Sequence, residues 1–76
     1  MIIMTQSKSI LVDAQTVSVR TRGNTGYILW AEGLYRGSNS NVHQEELAAY
    51  GTYAEAKEAL KYIAERLNAG DTVVEL

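Results

Sequence analysis

Thr52-Tyr53-Ala54-Glu55-Ala56-Lys57-Glu58-Ala59-Leu60-Lys61-Tyr62-Ile63-Ala64-Glu65-Arg66-Leu67-Asn68 has the clearest periodicity in the chain and decides the fold. Thr52 with Glu55 three residues later forms a capping box, which satisfies two of the backbone donors left open at a helix start. Ala56, Leu60, Ile63 and Leu67 recur at helical spacing, and Ala59 and Ala64 widen the stripe. Lys57, Glu58, Lys61, Glu65 and Arg66 cover the opposite side. Gly70 then stands where a left-handed cap is needed. The spacing predicts a single helix over about 53–69.

Upstream of the helix the period changes from 3.6 to 2. Thr16-Val17-Ser18-Val19-Arg20-Thr21-Arg22 alternates strictly, with Val17 and Val19 on one face and Thr16, Ser18, Arg20 and Arg22 on the other. Gly23-Asn24-Thr25-Gly26 is a turn, so Tyr27-Ile28-Leu29-Trp30-Ala31 returns as the second arm of a hairpin. That arm is apolar on both faces, which predicts a central strand or one covered by another layer. Ser9-Ile10-Leu11-Val12 reads as an earlier strand, joined through Asp13-Ala14-Gln15. Residues 33–41 are rich in Gly, Ser and Asn and read as loop. Residues 42–50 read as strand from about Glu46, although Gln44 to Ala49 also tolerates helix. Asp71 to Leu76 is short and β-prone. The expected fold is therefore α+β: a small antiparallel sheet of about four to five strands with one helix packed on one face, in a single domain over 1–76.

Composition bounds the function. The chain has 76 residues, no cysteine and one histidine, His43. Disulfides, thiolate catalysis and Cys-built zinc sites are excluded, and a multi-His metal cluster has no ligands. A lone core this small is marginal and points to self-association. The one Trp and five Tyr, without any Phe, suit half-exposed positions because each ring carries a polar edge. No apolar run approaches the roughly 20 residues that span a bilayer. Met1-Ile2-Ile3-Met4 is too short for a signal-peptide core and lacks a basic leader, so the expected location is cytoplasmic.

Tyr50-Gly51-Thr52-Tyr53-Ala54-Glu55-Ala56-Lys57, together with Met4-Thr5-Gln6-Ser7-Lys8-Ser9-Ile10-Leu11-Val12 and Val17-Ser18-Val19, resembles a loose group of short, uncharacterised accessory proteins from phages and mobile elements of Gram-positive bacteria. These have a few strands, a Tyr-x-Thr start to one helix, and a short terminal strand. The chain departs from the group in having Ala48-Ala49 before the Tyr and in lacking a terminal Met-Pro. The resemblance implies origin and fold, and a protein that acts by binding a host defence protein, a nucleotide signal or its own partners. It carries over no functional residues.

Catalysis is hard to assemble from these residues. His43 is the one base with a near-neutral pKa, and a triad has nothing to build on. His43 and Glu45 share a face if extended, the one spacing that would let them, with Glu46 adjacent, hold a metal or share a proton, but a polar patch at a loop edge is the favoured account. Gly23-Asn24-Thr25-Gly26 lacks the helix and lysine of a phosphate loop. The chain is expected to be no enzyme and to hold no metal or cofactor.

The net charge of −2 divides into +2 over residues 1–38 and −4 over residues 39–76, which predicts a mildly basic sheet side and an acidic helix side. Arg20 and Arg22 on one strand face would grip a phosphate or carboxylate through their planar forks. Trp30 or Tyr27, with Tyr35 and Arg36 from the loop, would add a stacking surface for a base. The candidate ligand-binding set is thus Arg20, Arg22, Trp30, Tyr35 and Arg36, for a nucleotide-type anion held by a homo-oligomer. The plainer alternative makes the arginines the solvated face of an edge strand and Trp30 a core residue. Two other readings remain: an inhibitor docking on a host protein through the acidic helix face (Glu55, Glu58, Glu65) or a sheet edge, and a structural subunit without ligand. Four scattered basic residues do not make a duplex-DNA footprint.

Overall fold

The computed structural model describes residues 1–34 and 42–76. Six strands and one helix follow in the order β1 (Ile2–Met4), β2 (Leu11–Asp13), β3 (Thr16–Arg22), β4 (Gly26–Leu34), β5 (Val42–Tyr50), α1 (Tyr53–Asn68) and β6 (Val73–Glu75). The α+β class expected from the sequence is the one observed. The strands, however, divide into two sheets of three, ordered β2-β1-β6 and β3-β4-β5, where one sheet of four to five was expected. Pairing is antiparallel except between β1 and β6, which run parallel.

The helix forms as its pattern requires. Thr52 is extended, its hydroxyl accepts from the Glu55 N–H at 3.1 Å, and it donates back to the Glu55 carboxylate at 3.0 Å. Ala56 and Ile63 are buried, with Ala59, Leu60 and Leu67 packed beside them. Gly70 has φ +95°, a left-handed value that side chains disfavour, and it turns the chain toward β6. Arg66 grips Asp71 across this cap through two hydrogen bonds of 2.7 and 3.3 Å.

One core joins both sheets to the helix. Ile3, Val12 and Val74 come from the β2-β1-β6 sheet, Leu29, Ala31 and Leu47 from the other, and Ile63 from α1. A fully buried Leu or Ile contributes roughly 1.5–3 kcal/mol by transfer alone, so these few side chains carry most of the stability. Where β2 passes into β3, the chain exchanges partners. The Ala14 N–H donates to the Met1 carbonyl, and the next donor, Gln15 N–H, reaches the Glu32 carbonyl of β4 at 2.8 Å. This crossing passes so close to β4 that a Cβ at Gly33 would lie 2.9 Å from the Gln15 nitrogen. Glycine is what lets the two sheets meet there.

Several boundaries differ from expectation. Ile2–Met4 is a strand, because Ile3 fills the core while its neighbours do not; three residues are too few to show an alternation. β4 runs on to Leu34, and β5 starts at Val42 rather than Glu46, since the two pair over their whole length. Residues 35–41, most of the expected loop, lie outside the described residues.

Candidate functional site

The hairpin register fixes which residues share a face. Arg22 is opposite Gly26, Arg20 opposite Ile28, Ser18 opposite Trp30 and Thr16 opposite Glu32. With a side-chain period of two, Arg20, Arg22, Ile28, Trp30 and Glu32 point away from the helix. Val17, Val19, Leu29 and Ala31 point toward it and pack in or against the core. The sequence puts Arg20 and Arg22 on one face and leaves Trp30 or Tyr27 open beside them; the register brings Trp30 to that face. Tyr27 falls on the other face, where its ring lies 5.6 Å from that of Tyr53, so it is not an alternative to Trp30. Tyr35 and Arg36 lie outside the described residues.

β5 completes the face through a bulge. Leu29 is opposite Ala48, but Trp30 is opposite Glu46, so Leu47 is an extra residue and both Leu47 and Ala48 are buried. The bulge reverses the phase of the strand. Without it Glu46 and Gln44 would face the helix; with it they face outward beside Trp30 and Glu32. Gln6 clamps the irregularity: its N–H donates to the Leu47 carbonyl at 2.8 Å, and its side-chain oxygen accepts from the Ala49 N–H at 3.1 Å.

The resulting surface consists of two apolar side chains beneath two ion pairs. Arg20 pairs with Glu32 at 2.7 Å and holds its guanidinium 5.4 Å above the Trp30 ring. Gln44 donates to the other Glu32 oxygen at 3.3 Å. Arg22 pairs with Glu46 across β4, between the levels of Gly26 and Trp30, which is where Ile28 sits. Ile28, at that level, is 8% exposed. Arginine stems at this level can cover such a side chain, apolar below and charged above. Trp30 is half-buried, and its enclosed indole N–H has no hydrogen-bond partner among the described residues. Buried donors are rarely left in that state.

The expected basic sheet side is therefore not present at this face. The two arginines meet two carboxylates, one of them from the acidic half of the chain, and the four charges cancel. Glu32 was findable, since the Arg22–Gly26 turn places every even-numbered residue of the hairpin on one face. Glu46 was not, because its orientation depends on the bulge.

The remaining candidates are dispersed. Glu45 lies opposite Ala31 and Glu46 opposite Trp30, on opposite faces, so the His43-Glu45-Glu46 run does not converge as a unit. His43 is in register with Gly33. No group of three metal-ligating side chains occurs among the described residues, and no described helix is long and apolar enough to cross a membrane. Glu55 is engaged in the helix cap, while Glu58 and Glu65 are exposed on α1. Burial, helped by the Glu55 carboxylate, pushes the Tyr50 phenol above its ordinary pKa, which keeps it protonated at the sheet end.

Comparison with known proteins finds no matching family, no matching curated protein and no matching solved structure.

Proposed function

We propose that this chain is a non-enzymatic accessory protein of the phage or mobile-element kind it resembles, acting in the host cytoplasm by binding. In this reading it works as a homo-oligomer and sequesters a small nucleotide-type anion on the open face of β3-β4-β5, a way of countering host defence. The observation that supports it is the gathering on one face of Arg20, Arg22 and the Trp30 indole N–H, which has no partner among the described residues, with each arginine paired to one side-chain carboxylate. Exposed ion pairs are worth about 0–1 kcal/mol, so a diphosphate that engages both guanidiniums can displace Glu32 and Glu46. Arginine forks bind phosphate bidentately, and the Trp30 ring becomes available to a base once Arg20 moves off it. The test is Arg20→Ala with Arg22→Ala, titrated with ADP and with pyrophosphate by calorimetry. Loss of binding is expected; binding equal to that of the unmodified chain sinks the reading.

A second reading is docking on a host protein through α1, supported by its solvent-facing Glu58 and Glu65 beside Tyr62, which is 44% exposed. Binding of such a partner would survive the arginine changes and be lost with Glu58→Lys and Glu65→Lys.

A further inference from the structure

Of the four sheet edges among the described residues, three are blunted. β2 and β6 are only three residues long. β5 is broken by the bulge at Leu47, where Gln6 occupies its outer side through the Leu47 carbonyl and the Ala49 N–H. Short strands, bulges and covering segments are the usual devices that keep an edge from pairing. β3, the fourth edge, has none of them. It runs seven residues without a proline, its register with β4 is unbroken, and Val17, Val19 and Thr21 on its inner face carry no charge. Every second residue of such a strand aims its N–H and C=O away from its neighbour. Apart from β4, no described backbone bonds to residues 16–21. Arg20 and Arg22 lean across the sheet to Glu32 on β4 and Glu46 on β5, which draws their charges off the edge.

We infer that β3 pairs antiparallel with β3 of a second copy, about a two-fold axis through Val19. The residues select this register. Side chains on one face must meet their own kind, so the axis passes through a residue and not between two. An axis through Arg20 or Thr21 sets arginine opposite arginine, which is destabilising. An axis through Val17 or Ser18 leaves the Arg22 end of the strand unpaired. Through Val19 all seven residues pair: Thr16 meets Arg22, Ser18 meets Arg20, and Val19 meets itself. An isologous contact needs an edge that fits itself in this way. The result is one continuous sheet, ordered β5-β4-β3-β3-β4-β5, with both copies' Arg20 and Arg22 on adjacent strands about 4.8 Å apart. Arg20 of the second copy stands beside Ser18, one strand from Trp30, so each copy contributes to the other's anion face. Seven residues span about 24 Å, and strand addition draws its affinity from main-chain hydrogen bonds more than from area. The contact is small, so the dimer is reversible and depends on concentration.

The inference rests on the oligomer in the proposed function and not on its ligand. Sedimentation velocity and amide hydrogen exchange on the full chain, from micromolar to about millimolar concentration, are the test. A monomer–dimer equilibrium is expected, with alternate amides of β3 gaining protection as concentration rises. Ser18→Glu, opposite Arg20 of the second copy, tightens the dimer about two- to thirtyfold, and Ser18→Lys weakens it by a similar factor, since each change acts twice across the axis. Ser18 lies on the outer face at the sheet edge, so both variants keep the circular dichroism spectrum of the parent monomer. A monomer throughout, β3 amides indifferent to concentration, or a dimer that responds alike to both substitutions overturns the inference. ADP titration separates the questions: a chain that binds ADP and stays monomeric at every concentration fails this interface and leaves the ligand site standing, and a dimer that binds no ADP does the reverse.

Discussion

Replacing Glu32 and Glu46 together by glutamine tests the ligand-binding reading more sharply than removing the arginines, because that reading then predicts affinity and stability to move in opposite directions. Each change keeps shape and hydrogen-bonding capacity while deleting the charge that occupies an arginine. The side chains involved are well exposed, at 50% for Arg20 and 33% for Glu32, and at 51% for Arg22 and 35% for Glu46. Pairs of this exposure contribute about 0.2–1 kcal/mol each. A ligand that must displace both carboxylates loses that sum, so removing the competition tightens binding by about 0.4–2 kcal/mol, or roughly two- to thirtyfold. The folded protein loses a similar amount. Affinity should rise while melting temperature falls.

Trp30 is the only tryptophan in the chain and sits under Arg20, so its fluorescence reports both the release of the guanidinium and the arrival of a ligand. Titration with ADP and with pyrophosphate, against a denaturation series on the same preparations, gives the two signs in one experiment. If the doubly substituted protein is less stable but binds neither anion more tightly, the arginines serve only to cover Ile28 and Trp30.

Three other perturbations probe what holds this face in place. Gln6→Ala removes the side-chain acceptor for the Ala49 N–H at the bulge; urea denaturation should show a loss of about 0.5–1.5 kcal/mol, and Trp30 emission should shift as Glu46 loses its position. Gly33→Ala drives a methyl to 2.9 Å from the Gln15 nitrogen and 3.1 Å from the Asp13 carbonyl oxygen, backbone atoms that cannot yield cheaply, so a loss of about 1–3 kcal/mol is expected in the same assay. The hydrogen bond from Arg66 holds the Asp71 carboxyl below its ordinary value of 3.8. A folded-state pKa below the unfolded one contributes stability that is complete above the unfolded value and disappears as pH falls through the folded one. Asp71→Asn should therefore melt lower than the parent chain at neutral pH, with the gap closing in strong acid; a gap independent of pH would refute that assignment.

Local signals were sufficient for the helix and the hairpin. Thr52 with Glu55 marks the helix start, Gly70 marks its end, and the alternation of Thr16 to Arg22 delivers both a strand and the face it presents. What escaped was whatever depends on contacts distant in sequence. Three-residue strands such as Ile2–Met4 have no period to read, and the parallel pairing of β1 with β6 brings together segments from opposite ends of the chain. The division into two sheets turns on the partner exchange at Ala14-Gln15, where local propensity is silent. The bulge at Leu47 is the most consequential miss, because one extra residue decides whether Glu46 faces the helix or Arg22.

In the proposed ligand-binding reading, that bulge also decides what kind of anion the face would select. The first half of the sequence is basic and the second acidic, which suggested two faces of opposite sign. β5 returns antiparallel beside β4, however, and its reversed phase brings Glu46 from the acidic half onto Arg22 from the basic half. A neutral face has little long-range pull on any anion, so recognition has to come from exchange at short range. A monocarboxylate has nothing to offer there: it would replace one carboxylate by another and lose its freedom of translation in solution besides. A diphosphate carries both of its charged groups on one molecule, pays that entropy once, and adds bidentate geometry at each guanidinium. Selection for pyrophosphate over acetate should therefore be strong, and stronger than the charge difference alone predicts. Acetate competing effectively with pyrophosphate at equal ionic strength would mean that the arginines act singly, and the two-arginine site would have to be abandoned.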